Sequence, residues 1–220
     1  MSVLAALQNR VSIRAFLPTP VPEDEIRRLF SAAQLSPSNC NVQPWHVYVV
    51  SGATKLALQQ RLLEVVSSGR EPNPDYEWGL KYEGVLRDRQ FGAAAALYGA
   101  LGIDRSDRAA RTESMLRNWM FFDAPHAIFF AMDKSNGMRG AVDLGIYAQS
   151  LALLMAESGI ATCFQGALNQ HPEPVRGILQ IPENLGILFG MSFGYADEKA
   201  AVNTARTERE PLENSVKFSN

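Results

Sequence analysis

The 220-residue chain is short of the residue types that announce the commoner site chemistries. Its two cysteines, Cys40 and Cys163, stand far apart and without CxxC spacing, which argues against a disulfide framework, a zinc knuckle and a dithiol redox pair. Three histidines, His46, His126 and His171, are scattered singly. None has a second ligand at helical or hairpin spacing, so no metal site is expected. A net charge of -2 gives no global pull toward nucleic acid or anionic lipid. No apolar run reaches membrane-spanning length, and the opening residues MSVLAALQNRVSIRAF lack the apolar region and cleavage site of a signal peptide. The expected address is the cytoplasm. Neither G-x-x-x-x-G-K-[ST] nor G-x-G-x-x-G occurs, so any nucleotide has to be held in another way.

What the chain does hold is 46% hydrophobic and 20% charged residues, enough for one sizeable core and one domain over 1–220. After a short opening helix, VPEDEIRRLFSAAQLSP has acids at its start, Ile26, Leu29, Phe30 and Ala33 on one face, and Pro37 beyond its end. HVYVV alternates as a strand, and a helix follows to Ser68. GREPNPDYEWG reads as a loop opening an excursion near 70–122, with helices on either side of GIDRSD. A second strand is expected at HAIFFAM, the strongest helix from Asp143 to Gly159, and a short strand at ATCFQ. A helix in PEPVRGILQ, a strand at ILFGMSFGY and an aperiodic tail complete the reading. No Gly-rich turn links a first strand to a helix, and the long helices are bunched, which favours α+β with a mixed sheet flanked by helices over a parallel α/β sheet.

Three stretches invite chemistry. GMSFG, Gly190–Gly194, matches the G-x-S-x-G nucleophile pattern, but no helix follows Ser192 and every histidine precedes it, so a closely packed buried strand is the better reading than a serine hydrolase. In NRVSIRAF, an extended backbone puts Arg10, Ser12 and Arg14 on one face, two guanidinium forks and a hydroxyl suited to a phosphate dianion, or else a solvated edge. In SPSNCNVQPW, Ser38, Asn39, Asn41 and Gln43 offer groups that can read a heteroaromatic edge, stiffened by Pro37 and Pro44, or else cap the neighbouring elements.

Taken together, RxSxRxF, PSxxNxQPW, DLGxxxQSLxLxxxxxGI, CFQG, GxxFGY and RTEREPLENSVKF resemble the flavin-dependent nitroreductase family along nearly the whole chain. CFQG and YGALGIDRSDR look most like the branch that includes nitrobenzoate reductases. The resemblance implies a homodimer with FMN at the interface and an extended C-terminal tail exchanged across the dimer. It also implies Arg10, Ser12 and Arg14 on the phosphate with Arg206 or Arg209 from the tail. Ser38, Asn39 and Asn41 would reach the ring or ribityl chain from the other subunit, with Pro37 and Gln43 in the same cofactor-binding set, and the backbone of Gln165 and Gly166 would be at the hydride-accepting N5 atom. The family's cation facing N1 and O2 is not located by sequence; Arg70, Lys81, Arg87 and Arg89 are candidates.

The implied activity is an NADH- or NADPH-dependent FMN oxidoreductase reducing a small nitroaromatic compound or a quinone by ping-pong hydride transfer at one shared site. A lid from about Tyr76 to Tyr98, with Phe121 and Phe122 as candidate wall residues, would shape the pocket, although each of these aromatics taken singly reads better as helix packing in the core. The rival readings are a dehalogenase or oxygen-using flavoenzyme of the same fold, and a flavin-binding sensory protein without turnover. Both cysteines are expected to be structural.

Overall fold

The computed structural model describes residues 1–77 and 81–219. Its centre is β2 (His126–Asp133, HAIFFAMD), a strand apolar at both parities because both of its faces are covered. Ile128, Phe130 and Met132 point to one side, where they meet Leu29 of α2 (Glu23–Ala33) and Leu144, Tyr147 and Leu151 of α6 (Gly137–Glu157). Ala127, Phe129 and Ala131 point to the other, against Leu58 and Leu62 of α3 (Gly52–Ser67) and Val175 of α7 (Pro172–Leu179). Each fully buried leucine in these layers contributes about 1.5–3 kcal/mol of transfer free energy.

The sheet runs β1 (His46–Ser51), β2, β4 (Leu185–Gly194), β3 (Ala161–Gln165). These strands pair antiparallel throughout, with a bulge at Phe130/Ala131. The parallel component is a single bridge, Ser12 to Thr162, by which the N-terminal arm after α1 (Val3–Asn9) lies along β3. Ile13 and Phe16 of that arm pack on Phe122, Ala124 and Cys163. Gly190 and Gly194 lie where backbone and neighbour touch: a Cβ at Gly190 would come within 2.5 Å of Leu168, and one at Gly194 within 2.7 Å of Pro125. That is the close packing expected of GMSFG.

Helix α6 begins six residues before Asp143, at Gly137. Its first turn lacks an apolar period and is set by its surroundings. The Asp133 carboxylate caps the turn Lys134–Asn136, Gly137 takes φ +54°, and Gly140 lies so close to Met132 that no side chain fits. The excursion contains α4 (Gly84–Leu101) and α5 (Arg108–Leu116). Helix α4 ends at Gly102 in the left-handed conformation and buries no residue, although Val85, Leu86, Phe91 and Leu97 lie along it. Met138, Val142 and Ile146, four residues apart on α6, likewise face outward, Met138 at 85% exposure. After the short turn Ala201–Thr204 the tail is exposed, with a further turn at Leu212–Asn214. Among the described residues no helix is long and apolar enough to cross a membrane.

Candidate functional site

Arg10, Ser12 and Arg14 are half-buried on the arm beside β3. All three act on the thiol of Cys163: the two guanidinium charges and the Ser12 hydroxyl pull its pKa down, and burial outweighs them, pushing it up to about 11. The arm therefore carries two cations and a hydroxyl along β3, beside Cys163. Among the described residues neither Arg10 nor Arg14 has a carboxylate partner. The donor set of a phosphate cradle is present and not neutralised by the chain itself.

Asn203, which sequence reasoning passed over, fastens the tail to this arm. Its Oδ1 accepts from the Arg14 backbone N–H at 2.7 Å, and its Nδ2 donates to Ala15 O at 2.8 Å and Asp197 O at 2.9 Å. Arg206 donates to Asn203 O at 2.7 Å and Ala205 O at 2.9 Å, and Arg209 to Thr207 and Glu208; both guanidinium groups bond within their own stretch of tail and line one cleft against α4.

The polar loop lies elsewhere. Cys40, Asn41 and Gln43 all take left-handed backbone angles without a glycine among them, a strain of about 1 kcal/mol or more each. Bonds at both ends hold that shape. Asn39 N–H donates to Asp143 Oδ1 at 3.0 Å, Gln43 N–H to Ser38 Oγ at 2.9 Å, and Trp45 Nε1 to Gln34 Oε1 at 3.0 Å, with the indole stacked on Tyr147. Asn39, Asn41 and Gln43 stay exposed, Pro37 too, and Ser38 is half-buried. Cys40 is exposed as well, so only Cys163 of the two cysteines has a structural, buried setting.

The loop feeds β1 and the arm lies on β3, the two edges of the sheet. His46 aligns with Ala131, whereas Ser12 sits by Thr162 at the level of Phe193 and His126. Those strand ends are about 14 Å apart across the sheet and about 17 Å along it. Within one chain, Arg10, Ser12 and Arg14 share the arm along β3, and the loop lies apart from them.

Gln165, the last residue of β3, is buried. Its Nε2 donates to Asn118 O at 2.8 Å, and its Oε1 accepts from Ser192 Oγ at 2.5 Å. Ser192 itself is completely buried, and no histidine contacts its hydroxyl among the described residues, which rules it out as an accessible nucleophile. Asn118 and Arg14 line a cavity of about 490 Å³ between α4, α5 and the Ala201–Thr204 turn, with Tyr98, Met115 and Phe122 as apolar wall. Phe121 lies in the core, edge-on to Phe129, and not on that wall. Both phenylalanines belong to a turn, Phe121–Asp123, in which all three residues are left-handed.

The excursion is anchored by groups that gave no sequence signal. Asp75 accepts from Arg176 and from the Ile187 N–H, and Tyr76 OH donates to Met132 O at 3.1 Å. Burial beside Asp75 and Asp133 pushes the Tyr76 phenol up to about 12. Of the cations considered for a flavin edge, Arg70 pairs with Glu173, Arg89 with Glu210, and Arg87 lies over Phe91; Lys81 is exposed. The part of the expected lid at 78–80 lies outside the described residues.

An antiparallel sheet between two helical layers, with an N-terminal cationic arm on one edge and a polar loop on the other, is the arrangement of a flavin oxidoreductase fold. The model of the Nitroreductase family matches residues 7–195, and the chain belongs to that family. It is 41% identical over 218 residues to Nitroreductase NfnB of Mycolicibacterium smegmatis, covering 97% of this chain and 91% of that one. To 4-nitrobenzoate reductase of Pseudomonas putida it is 33% identical over 214 residues, covering 97% and 94%. The crystal structure of the FMN-dependent nitroreductase NfnB from Mycobacterium smegmatis in complex with NADPH superposes with a TM-score of 0.93, at 38% identity and over 100% of both chains.

Proposed function

We propose that the chain is an FMN-dependent oxidoreductase that uses NADPH or NADH to reduce nitroaromatic compounds or quinones at one shared site, by a ping-pong mechanism. The observation that carries this reading is the arm: Arg10, Ser12 and Arg14 lie at alternate positions of an arm that runs along β3, without carboxylate partners among the described residues, beside the strand that ends in the Gln165–Gly166 peptide. The family's relatives support it, among them one whose structure is described as FMN-dependent and in complex with NADPH.

FMN, when bound, supplies reversible hydride acceptance at its ring. The chain's own residues do the rest. Arg10, Ser12 and Arg14 hold the phosphate, with Arg206 or Arg209 in support. The backbone of Gln165 and Gly166 presents a fixed dipole to the ring, which costs no reorganisation during transfer. The cavity wall of Tyr98, Met115 and Phe122 keeps water from the reacting face.

The reading includes a homodimer. The polar loop Pro37–Gln43 and the cationic arm occupy opposite sheet edges, so a loop from a second copy completes the site built on the first. The outward apolar residues of α4 and of α6 (Met138, Val142, Ile146) are the surface such a copy would cover, and the exposed tail with Leu212, Val216 and Phe218 would lie along it. We read residues 1–220 as one unit and place it in the cytoplasm, where an exposed thiol such as Cys40 stays reduced.

The test is the anaerobic visible spectrum of the purified protein, before and after NADPH and then NADH. A flavin spectrum bleached by one donor and restored by a nitroaromatic acceptor is expected. A colourless protein that takes up no added FMN would overturn the assignment, and bound flavin indifferent to both donors would leave only a binding role.

A further inference from the structure

Ser192 is a hydroxyl in a place where the fold asks for a hydrocarbon. On β4, Met191 and Phe193 pack toward α2 and α6, so alternation turns Gly190 and Ser192 to the opposite face, where Gly190 touches Leu168. A polar group buried in such surroundings is costly unless bonded, and this one is: Ser192 Oγ to Gln165 Oε1, 2.5 Å. The orientation of the amide is settled by its other end. Nε2 faces the carbonyl oxygen of Asn118, which can only accept, so Oε1 is the atom on Ser192 and the hydroxyl is the donor.

Gln165 thus hangs between two supports. One is the neighbouring strand. The other is Asn118 on the cavity wall, whose carbonyl also accepts from Phe121 N–H at 3.1 Å. Ladder pairing of β3 ends at Gln165 opposite Gly190, and the chain leaves the sheet through Gly166, which has no side chain to fix it. The side chain of Gln165 anchors the near end of this turn beyond the ladder, as Asn169 Nδ2 on Leu188 O at 2.9 Å holds its far end.

We propose that Ser192 is a positioning residue for the Gln165–Gly166 peptide: its hydroxyl fixes the Gln165 amide and thereby the direction of the backbone dipole offered to the cofactor. The inference rests on the FMN reading above for its consequence in catalysis, and on the chain alone for its structural half. Without the hydroxyl, Oε1 has no donor, the amide can turn, and the peptide after β3 gains freedom.

Two measurements on Ser192→Ala, Ser192→Cys and Ser192→Thr test this. In the flavin-free protein, amide hydrogen exchange over 163–169 should quicken about tenfold in S192A, stay near wild type in S192T, and fall between in S192C. In the FMN-loaded protein, bleaching at saturating NADPH should slow about tenfold in S192A with KM for NADPH unchanged, and recover in S192T. Unchanged exchange would overturn the proposal, and so would faster exchange with wild-type bleaching, which would make Ser192 a packing residue only. Should S192A not fold, S192C carries both readouts, and wild-type values in it are equally fatal. If wild-type protein binds FMN but NADPH cannot bleach it, the FMN reading fails; the catalytic half falls with it while the exchange result still decides the anchor.

Discussion

Arg176 Nη2 bridges both carboxylate oxygens of Asp75 at 2.9 Å, with the two side chains only 11% and 9% exposed. Nη1 donates to carbonyls, Pro182 O at 2.7 Å and Leu185 O at 2.9 Å, and Nε lies 3.7 Å from the exposed Glu183 carboxylate. Asp75 in turn accepts from Ile187 N–H at 2.9 Å and lies 3.2 Å from Lys134 Nζ. One ion pair therefore ties the start of the excursion to α7, β4 and the end of β2.

Removing one partner leaves the other charge largely buried with only a weaker countercharge, Lys134 for Asp75 or the exposed Glu183 for Arg176. Asp75→Ala or Arg176→Ala should cost about 3 kcal/mol, the low end for a broken buried pair, read as a lowered midpoint in urea unfolding. Arg176→Lys should recover only part, since an ammonium cannot reach the carboxylate and the carbonyls together.

The cationic arm predicts a graded loss of cofactor. Arg14→Gln and Arg10→Gln should each weaken FMN binding about 10- to 100-fold, the worth of one charge-assisted bond. Arg209→Gln should do less, because its guanidinium is bonded within its own turn. Fluorescence titration of the flavin-free protein checks the order.

His126 is buried, and its Nε2 accepts from the Val21 N–H at 2.9 Å. Burial and the nearby Lys55 charge hold its pKa below the usual 6.5. The native state therefore binds fewer protons than the unfolded one just below pH 6.5, and stability falls as pH drops through that value toward the lowered folded pKa. His171, lowered by burial and by Arg70, acts in the same direction. Unfolding free energies at pH 7.5 and 5.5 should differ, and the difference should shrink in His126→Asn.

The two thiols should part company. Cys40 is exposed, whereas burial keeps the Cys163 thiol protonated with a pKa of about 11. Alkylation of native protein near neutral pH should modify Cys40 alone, and mass spectrometry should find Cys163 modified only in denaturant.

If a second copy covers the outward stripe of α6, Val142→Glu should place unpaired charges on both sides of a two-fold contact. Sedimentation should then give monomer, and the bound flavin should be lost along with the dimer.

Much of this was legible in the order of residues. Alternation in HVYVV and the apolar run HAIFFAM mark two strands, and the structure has both, the first at the sheet edge and the second buried on both faces. Arg10, Ser12 and Arg14 share a face because an extended arm has a period of two, and here the arm is extended. What escaped were polar residues whose partners are remote in sequence. Asn203 meets Arg14 across 189 positions, Asp143 meets Asn39 across 104, and Arg176 meets Asp75 across 101. A lone Asn or Asp shows no period, and nothing local distinguishes such an anchor from a solvated side chain. The early start of α6 escaped for a related reason, since its first turn carries no apolar period and follows directly on the Asp133-capped turn Lys134–Asn136.

The left-handed run Phe121–Phe122–Asp123 is held from outside: Lys55 Nζ, nearly buried, donates to Ala124 O at 2.7 Å and lies 5.8 Å from the Phe121 ring. A corner built without glycine is stiff, but its stiffness is borrowed from the core around it. As temperature rises and that core loosens, this corner has conformational energy to release, and Phe122 moves with it. The shape of the pocket should accordingly blur before the chain melts, so that the temperature limit on selectivity lies below the temperature limit on folding.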